Sequence, residues 1–281
     1  MRPRHVHCLG PHGFHRVAYT EWGDPGEARV VICVHGLTRN GRDFDFLAQA
    51  LAAHRRVLCP DVVGRGQSDW LSHKDDYGYP LYVSDLAALI ARSGAEQVDW
   101  VGTSMGGLIG MMLAAQPHTP IRRLVLNDVG PVIPKASLER IAQYVGKAPT
   151  FADLDALERY IRQVSAPFGP LTDEQWRHLA LHSSRRYDDG SVAMGYDPAI
   201  GNAFSGEMKD VVLWPFWDAI SCPTLLLRGV QSDLLLKTTA QEMTQRGPRP
   251  RLVEFEGIGH APMLMADDQI AVVREFLLEA D

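Results

Sequence analysis

One serine, Ser104, lies between two glycines in a sequence that is typical of a catalytic nucleophile. Residues 102–106 read Gly-Thr-Ser-Met-Gly, after the apolar residues 98–101 and before the helix-like residues 107–115. A tight strand-to-helix turn of this kind exposes its serine, and the glycines let neighbouring backbone approach closely. The Met105 amide, at the start of the helix, would donate to an oxyanion. We therefore expect Ser104 to attack a carbonyl carbon.

A histidine near the end of the chain is the expected general base. His260 lies in the turn-rich residues 257–262, between the strand-like residues 252–255 and a final helix at about 267–279. A histidine on such a loop can reach a serine at the same edge of a sheet, and both candidate acids lie between the two in the chain. The other histidines have no comparable setting. We therefore expect His260 to accept the Ser104 proton.

Two aspartates compete for the role of orienting His260. Asp233 follows the strand-like residues 224–227, and Asp128 follows residues 124–126, so both lie where ligands bind in open α/β sheets. Residues 229–232 (Gly-Val-Gln-Ser) leave Asp233 free to reach the histidine, whereas residues 127–131 resemble a turn that leads into the next segment. The sequence therefore favours Asp233 and predicts a small effect for Asp128→Asn.

The loop after the first long buried strand is expected to complete the site. Residues 35–37 (His-Gly-Leu) directly follow residues 30–34, which makes the Leu37 amide the natural second oxyanion donor beside Met105. Large apolar side chains near the end of the insertion and after His260 suggest a substrate pocket, although core packing is the alternative for the tryptophans. The expected substrate-binding residues are His35, Gly36, Trp214, Trp217 and Met263.

Short β-branched runs alternate with longer amphipathic segments, and this alternation predicts an α/β sheet. The alternation stops after Asn127, and from about 131 to 214 the apolar spacing is helical, with prolines at 149, 167 and 170 that divide the helices. We therefore predict a core of residues 1–130 and 215–281, interrupted by a helical insertion at 131–214.

Composition limits the partners and the compartment. The net charge is -6 and the pI is near 6.0, so nothing favours nucleic acid or an anionic membrane surface, and a small neutral substrate is expected. No apolar run approaches the roughly 20 residues of a membrane span, and the first 14 residues lack a signal-like stretch. The four cysteines are scattered, so a cytoplasmic protein without disulfides is expected. Histidines 5, 7, 12 and 15 suggest an exposed hairpin rather than a metal site.

These motifs together resemble the α/β-hydrolase superfamily over nearly the whole chain. Residues 60–69 (Pro-Asp-Val-Val-Gly-Arg-Gly-Gln-Ser-Asp) are similar to a structural loop of that superfamily, in which the carboxylates are not catalytic. The resemblance implies an eight-stranded, mostly parallel sheet, flanking helices, a helical cap at 131–214, and neither a metal nor an organic cofactor. Ser104 stands where haloalkane dehalogenases and epoxide hydrolases carry an aspartate, which argues against both chemistries.

Residues 37–40, 42–44 and 102–110 are similar to bacterial carboxylesterases, some of which cleave short hydroxyalkanoate oligomers or aliphatic polyesters. The sequence therefore predicts a serine esterase that works through an acyl-enzyme on a small-molecule ester. A C–C bond hydrolase, a lactonase or a perhydrolase could use the same three residues, and a non-catalytic ligand receptor of the same fold is the distant alternative. The sequence is compatible with a homodimer.

Overall fold

A single eight-stranded sheet forms the centre of the computed structural model, which describes residues 1–279. Its strands in chain order are β1 (Arg2–Gly10), β2 (Gly13–Trp22), β3 (Val30–Val34), β4 (Arg56–Pro60), β5 (Val98–Thr103), β6 (Ile121–Asn127), β12 (Thr224–Gly229) and β13 (Arg251–Phe255). Across the sheet their order is β1-β2-β4-β3-β5-β6-β12-β13, and all neighbours pair in parallel except β1 with β2 and β2 with β4. Parallel strands are buried on both faces, which explains their continuous apolar runs.

Within residues 1–279, six α-helices flank this sheet or join its strands. The helices at residues 79–93 (α2), 105–114, 237–243 and 267–278 agree with helical segments that the sequence predicts, whereas those at 45–51 and 214–219 were not predicted. The buried residues of α2, for example, recur at helical spacing and pack against the sheet. The predicted α/β architecture, with its mostly parallel eight-stranded sheet, is confirmed. The six helices are α1 (Asp45–Leu51), α2 (Tyr79–Ser93), α3 (Met105–Ala114), α7 (Trp214–Ala219), α8 (Lys237–Met243) and α9 (Asp267–Leu278).

The segment between β6 and α7 contains three helices, as the apolar spacing predicts, and it also contains short strands that the sequence did not predict. Each of these strands has only two or three residues, too few for an alternating pattern to be recognised. The helices are α4 (Lys135–Ala142), α5 (Leu154–Val164) and α6 (Asp173–His182). The strands are β7 (Val132–Ile133), β8 (Thr150–Phe151), β9 (Ser184–Arg186), β10 (Val192–Met194) and β11 (Val211–Val212).

Residues 128–213, between β6 and α7, form the inserted segment, which packs on the loop that carries His260. Leu157 and Ile161 of α5 form an apolar cluster with Leu179 of α6, and this cluster includes Met263 and Met265 from the loop after β13. Because β5, β6, β12 and β13 are parallel, their carboxyl ends lie at one edge of the sheet, directly beneath the inserted segment. Among residues 1–279, no helix combines the length and the apolar character needed to cross a bilayer.

Candidate active site

Ser104 lies in a strained turn between β5 and α3. Its φ is 51° and its ψ is -115°, a conformation that costs energy in a non-glycine residue. The Ser104 amide donates to the Asn127 carbonyl at 3.0 Å. A side chain at Gly102 would collide with the Gly106 carbonyl oxygen, and one at Gly106 with the Val34 carbonyl oxygen. The glycines are therefore required by close backbone contacts, as the sequence predicts.

His260 lies between Ser104 and a carboxylate that is not Asp233. Its Nε2 is 2.9 Å from Ser104 Oγ, and its Nδ1 is 2.7 Å from Asp128 Oδ2. An ionised carboxylate can only accept hydrogen bonds, so Nδ1 carries the proton and donates it to Asp128. Nε2 is then free to accept from the Ser104 hydroxyl. The contacts therefore connect the three side chains in one line and orient the imidazole as a base toward Ser104.

Asp128 is held rigidly at the end of β6. Its side chain is fully buried, and its backbone has a φ of 54°. Its Oδ1 accepts from the Gly229 amide at 2.9 Å, and its Oδ2 accepts from the Ser232 hydroxyl at 2.6 Å as well as from His260. These donors satisfy and fix both carboxylate oxygens at a position where water does not reach them. Ser232 and the Gly229 amide belong to the site, and the sequence analysis did not identify them.

The prediction that Asp233 orients His260 is wrong in this structure. The Asp233 side chain is 52% exposed and binds Arg140 of α4, through Nε at 2.5 Å and Nη2 at 3.0 Å. The preceding Ser232 faces Asp128, and the following Leu234 is buried, so the residue between them points outward. Asp233 therefore connects the core to the inserted segment, and the rejected candidate Asp128 contacts His260.

The two expected oxyanion donors border the space above Ser104. Met105 is the first residue of α3, where a helix leaves its amides without an intrahelical acceptor, and Leu37 lies on the loop after β3. Among residues 1–279, the structure pairs neither the Leu37 amide nor the Met105 amide with an acceptor. Both amides are therefore available to a negatively charged oxygen that is bonded to the substrate carbon.

Two cavities meet at Ser104, and both lie between the core and the inserted segment. The smaller, about 110 Å³, contains His260 together with Gly36, Met263 and Arg39, so two of the expected substrate-binding residues line it. The larger, about 710 Å³, is mainly apolar. Its lining includes Leu108, Met112, Val129, Ile133 and Leu138. An ester bond at Ser104 could therefore extend one side into each cavity.

Three expected substrate-binding residues line neither cavity. His35 is fully buried, where its Nδ1 bonds the Gly36 carbonyl at 2.7 Å and its Nε2 accepts from the Val62 amide at 2.9 Å. Burial lowers the pKa of His35 to about 3, so the ring stays neutral and holds the oxyanion loop in place. Trp217 is fully buried in the core, and Trp214 stacks under the Arg246 guanidinium. Packing explains both tryptophans.

Asp61 holds a loop, in agreement with the structural role that the family resemblance implies for residues 60–69. Its Oδ1 accepts from the Gly41 amide and its Oδ2 from the Gln67 amide, both at 2.8 Å. Burial is the main influence on this carboxyl and raises its pKa to about 6. Asp61 lines neither cavity beside Ser104.

In the described part of the chain, two groups of side chains have the spacing to share a metal ion. In one, His15 Nε2 already lies 2.8 Å from Asp85 Oδ2, and in the other, Arg42 binds Asp45 and lies 3.2 Å from His182 Nδ1. Neither group lines the cavities beside Ser104. The groups are Cys8 with His15 and Asp85, and Asp45 with His178 and His182.

A family model described as alpha/beta hydrolase fold matches residues 29–266. The chain belongs to the α/β-hydrolase family. It is similar to a 3-hydroxybutyrate-oligomer hydrolase of Cupriavidus necator, with 46% identity over 98% of this chain and 97% of that protein. It is 31% identical to an esterase of Mycobacterium tuberculosis over 87% of this chain and 80% of that protein.

A solved α/β hydrolase of Novosphingobium aromaticivorans has the same fold, with a TM-score of 0.87 and 38% identity over 98% of this chain and 97% of that one. These likenesses support an ester hydrolase of the α/β-hydrolase fold, which is the class of enzyme that the sequence predicts.

Proposed function

We propose that this α/β hydrolase cleaves short 3-hydroxybutyrate oligomers, with Ser104 as nucleophile, His260 as general base and Asp128 as the residue that orients His260. The observation that carries the proposal is the line of two hydrogen bonds, Ser104 Oγ to His260 Nε2 and His260 Nδ1 to Asp128 Oδ2. The oligomer substrate is proposed from the relative of Cupriavidus necator, which matches this chain along nearly its whole length.

In the first half of the reaction, His260 takes the Ser104 proton while Oγ forms a bond to the ester carbonyl carbon. The carbonyl oxygen becomes an oxyanion, to which the Leu37 and Met105 amides donate. The ester C–O bond then breaks, and His260 returns the proton to the departing alkoxide. This step releases a hydroxyacid and leaves the remaining acyl chain on Ser104.

In the second half, a water molecule loses a proton to His260 and attacks the acyl carbon. The bond to Ser104 Oγ breaks, and the serine regains its proton from His260. Asp128 stays ionised throughout, fixes the tautomer of the ring and stabilises the imidazolium. Removing one oxyanion donor from such a site typically costs about 10²- to 10³-fold in kcat.

The test is hydrolysis of p-nitrophenyl butyrate and of the 3-hydroxybutyrate dimer and trimer by wild type and by Ser104→Ala. Because the three side chains act as a unit, Ser104→Ala should lower kcat by about 10⁵- to 10⁶-fold. A serine-directed fluorophosphonate should add one adduct to the wild type and none to the variant, as read by intact mass. A wild type that binds the dimer without turnover would contradict the proposal and favour a ligand receptor.

A further inference from the structure

Arg39 lies next to the nucleophile, on the loop after β3. A methyl group built on Gly36 would lie 3.7 Å from Ser104 Cβ and 3.9 Å from Arg39 Cγ, so the two side chains flank Gly36. Arg39 also lines the smaller cavity, the one that contains His260. The residue is only 9% exposed. A buried guanidinium, paired with Asp43 of the same cavity, therefore stands beside the bond that the enzyme would cleave.

Asp43 uses only one edge of the Arg39 guanidinium. Its carboxylate accepts from Nε at 2.9 Å and from Nη2 at 2.6 Å. The remaining nitrogen, Nη1, is buried and has no hydrogen-bond partner within residues 1–279. Leaving a buried charged donor unpaired costs free energy, and guanidinium edges match carboxylates geometrically. The unpartnered edge is therefore suited to an anion that arrives with the substrate.

A second arginine of the same loop provides a comparison within the molecule. Arg42 binds Asp45 through Nε in the same manner, but its Nη1 reaches His182 Nδ1 at 3.2 Å. Arg42 does not line the cavity. Of these two arginines, only Arg39 lines the cavity, and only Arg39 has a nitrogen without a partner among the described residues. Arg140 also lines the cavity, but it binds Asp233.

We infer that the Nη1 edge of Arg39 binds the free carboxylate at the acid end of the oligoester, an inference that rests on the proposed function. In a 3-hydroxybutyrate oligomer, only a few bonds separate that carboxylate from the last ester carbonyl. The smaller cavity, about 110 Å³, is well below the roughly 300 Å³ of pockets for drug-sized ligands, and it suits one short unit. The larger apolar cavity then takes the acyl chain.

This arrangement makes the enzyme remove one hydroxyacid at a time from the carboxyl end. Tyr144 and Tyr160 line the same small cavity, and burial raises the pKa of both phenols, so both remain protonated donors for an anion. The net charge of the chain favours a neutral substrate, whereas this local arrangement favours an anionic one. The carboxylate is thus a specificity determinant within the proposed reaction.

The first experiment compares kcat/KM of the wild type for the 3-hydroxybutyrate dimer and for its methyl ester, which lacks the charge. The acid should be preferred by at least about 10-fold, because a hydrogen bond to a charged group is lost in the ester. A trimer labelled at its hydroxyl end should release an unlabelled monomer first. This comparison needs no variant, so it stands even where a substitution at Arg39 unfolds the protein.

The second experiment uses Arg39→Gln, with Arg42→Gln as the matched control. Arg39→Gln should lower kcat/KM for the acid dimer about 10- to 100-fold more than it lowers the value for the methyl ester. Arg39→Lys keeps a charge beside Asp43 but lacks the fork, and it should restore the preference for the acid only in part. Arg42→Gln should leave the preference unchanged.

The outcomes separate the two proposals. Equal rates for the acid and the methyl ester in the wild type, or an equal loss for both substrates in Arg39→Gln, would overturn the carboxylate site and leave the oligomer hydrolase in place. Hydrolysis of p-nitrophenyl butyrate without hydrolysis of either dimer would refute the oligomer substrate and, with it, the role of Arg39.

Discussion

Asp128 and Asp233 follow neighbouring strands of the sheet and have opposite surroundings. Each follows the carboxyl end of a parallel strand, β6 for Asp128 and β12 for Asp233, and these two strands are neighbours. Asp128 is fully buried and accepts from an amide, a hydroxyl and His260. Asp233 is half exposed and binds Arg140 at the surface.

The difference shows that the direction of an aspartate side chain, more than the flexibility of its loop, determines whether it contacts His260. The loop before Asp233 contains glycine and serine, which the sequence analysis took as room to reach His260. In the structure, that serine points inward and donates to Asp128, and this contact turns Asp233 toward solvent. A carboxylate that is already fixed by two donors can hold an imidazole without losing further side-chain freedom, which an exposed carboxylate would have to lose.

Among the substitutions that test this comparison, Asp128→Asn should give the largest effect, a fall in kcat of about 10⁴-fold. The amide can donate to His260 Nδ1, which favours the tautomer with the proton on Nε2 and so removes the base from Ser104. The measurement is steady-state hydrolysis of p-nitrophenyl butyrate. Asp233→Asn is the matched control and should stay within about 3-fold of wild type. A larger loss in Asp233→Asn than in Asp128→Asn would reverse the assignment.

Asp61 extends the comparison to a buried aspartate that follows β4 and does not contact His260. Its folded-state pKa of about 6 lies above the roughly 3.9 of an unfolded chain, so the folded state binds the proton more tightly. The stability that this proton adds is fully present below about pH 4 and is lost as the pH rises to 6, roughly 2–3 kcal/mol in all.

The measurement for Asp61 is urea unfolding of wild type and of Asp61→Asn, which does not titrate, at several pH values from 4 to 7. The free energy of unfolding of the wild type should fall relative to that of the variant as the pH rises. A difference that does not change with pH would show that the Gly41 and Gln67 amides keep the carboxyl ionised throughout.

Ser232→Ala tests the hydroxyl that donates to Asp128 and belongs to the residue directly before Asp233. The variant removes one donor from Asp128 and should lower kcat by roughly 10-fold, the lower end of what a hydrogen bond to a charged group contributes. The control is Ser137→Ala, because the Ser137 hydroxyl donates at 2.7 Å to the Asp233 carbonyl and should leave kcat unchanged. Equal rates in the Ser232 variant and wild type would mean that Gly229 alone fixes Asp128.

Arg140→Gln should give the smallest effect, a loss of less than about 1 kcal/mol in the free energy of unfolding. Both side chains of the Arg140–Asp233 pair are exposed, and exposed ion pairs contribute little to the free energy of unfolding because water and salt screen them. Urea unfolding at low and at high salt measures the contribution. A loss well above 1 kcal/mol would show that this pair holds the inserted segment on the core.

Much of the fold follows from local patterns. The apolar runs predict the central strands and the apolar spacing predicts the helices, because both depend on which face of a segment is buried. The short strands of the inserted segment were missed, since two or three residues cannot display a period. Local patterns also predict part of the site: the turn motif predicts Ser104, and the turn-rich loop predicts His260. His35, Trp214 and Trp217 were predicted to line the pocket, but in the structure they pack the protein interior or its surface.

The sequence by itself determined the nucleophile turn, because glycines at 102 and 106 are the only residues that the close backbone contacts of that turn allow. Only the tertiary structure decided which aspartate contacts His260 and which arginine beside Ser104 keeps a nitrogen without a partner in the described residues. Both choices depend on where a side chain points at the end of a strand or along a loop, and that direction is set by neighbours far away in the chain. Asp128 lies 132 residues from His260, a distance over which no local pattern carries information.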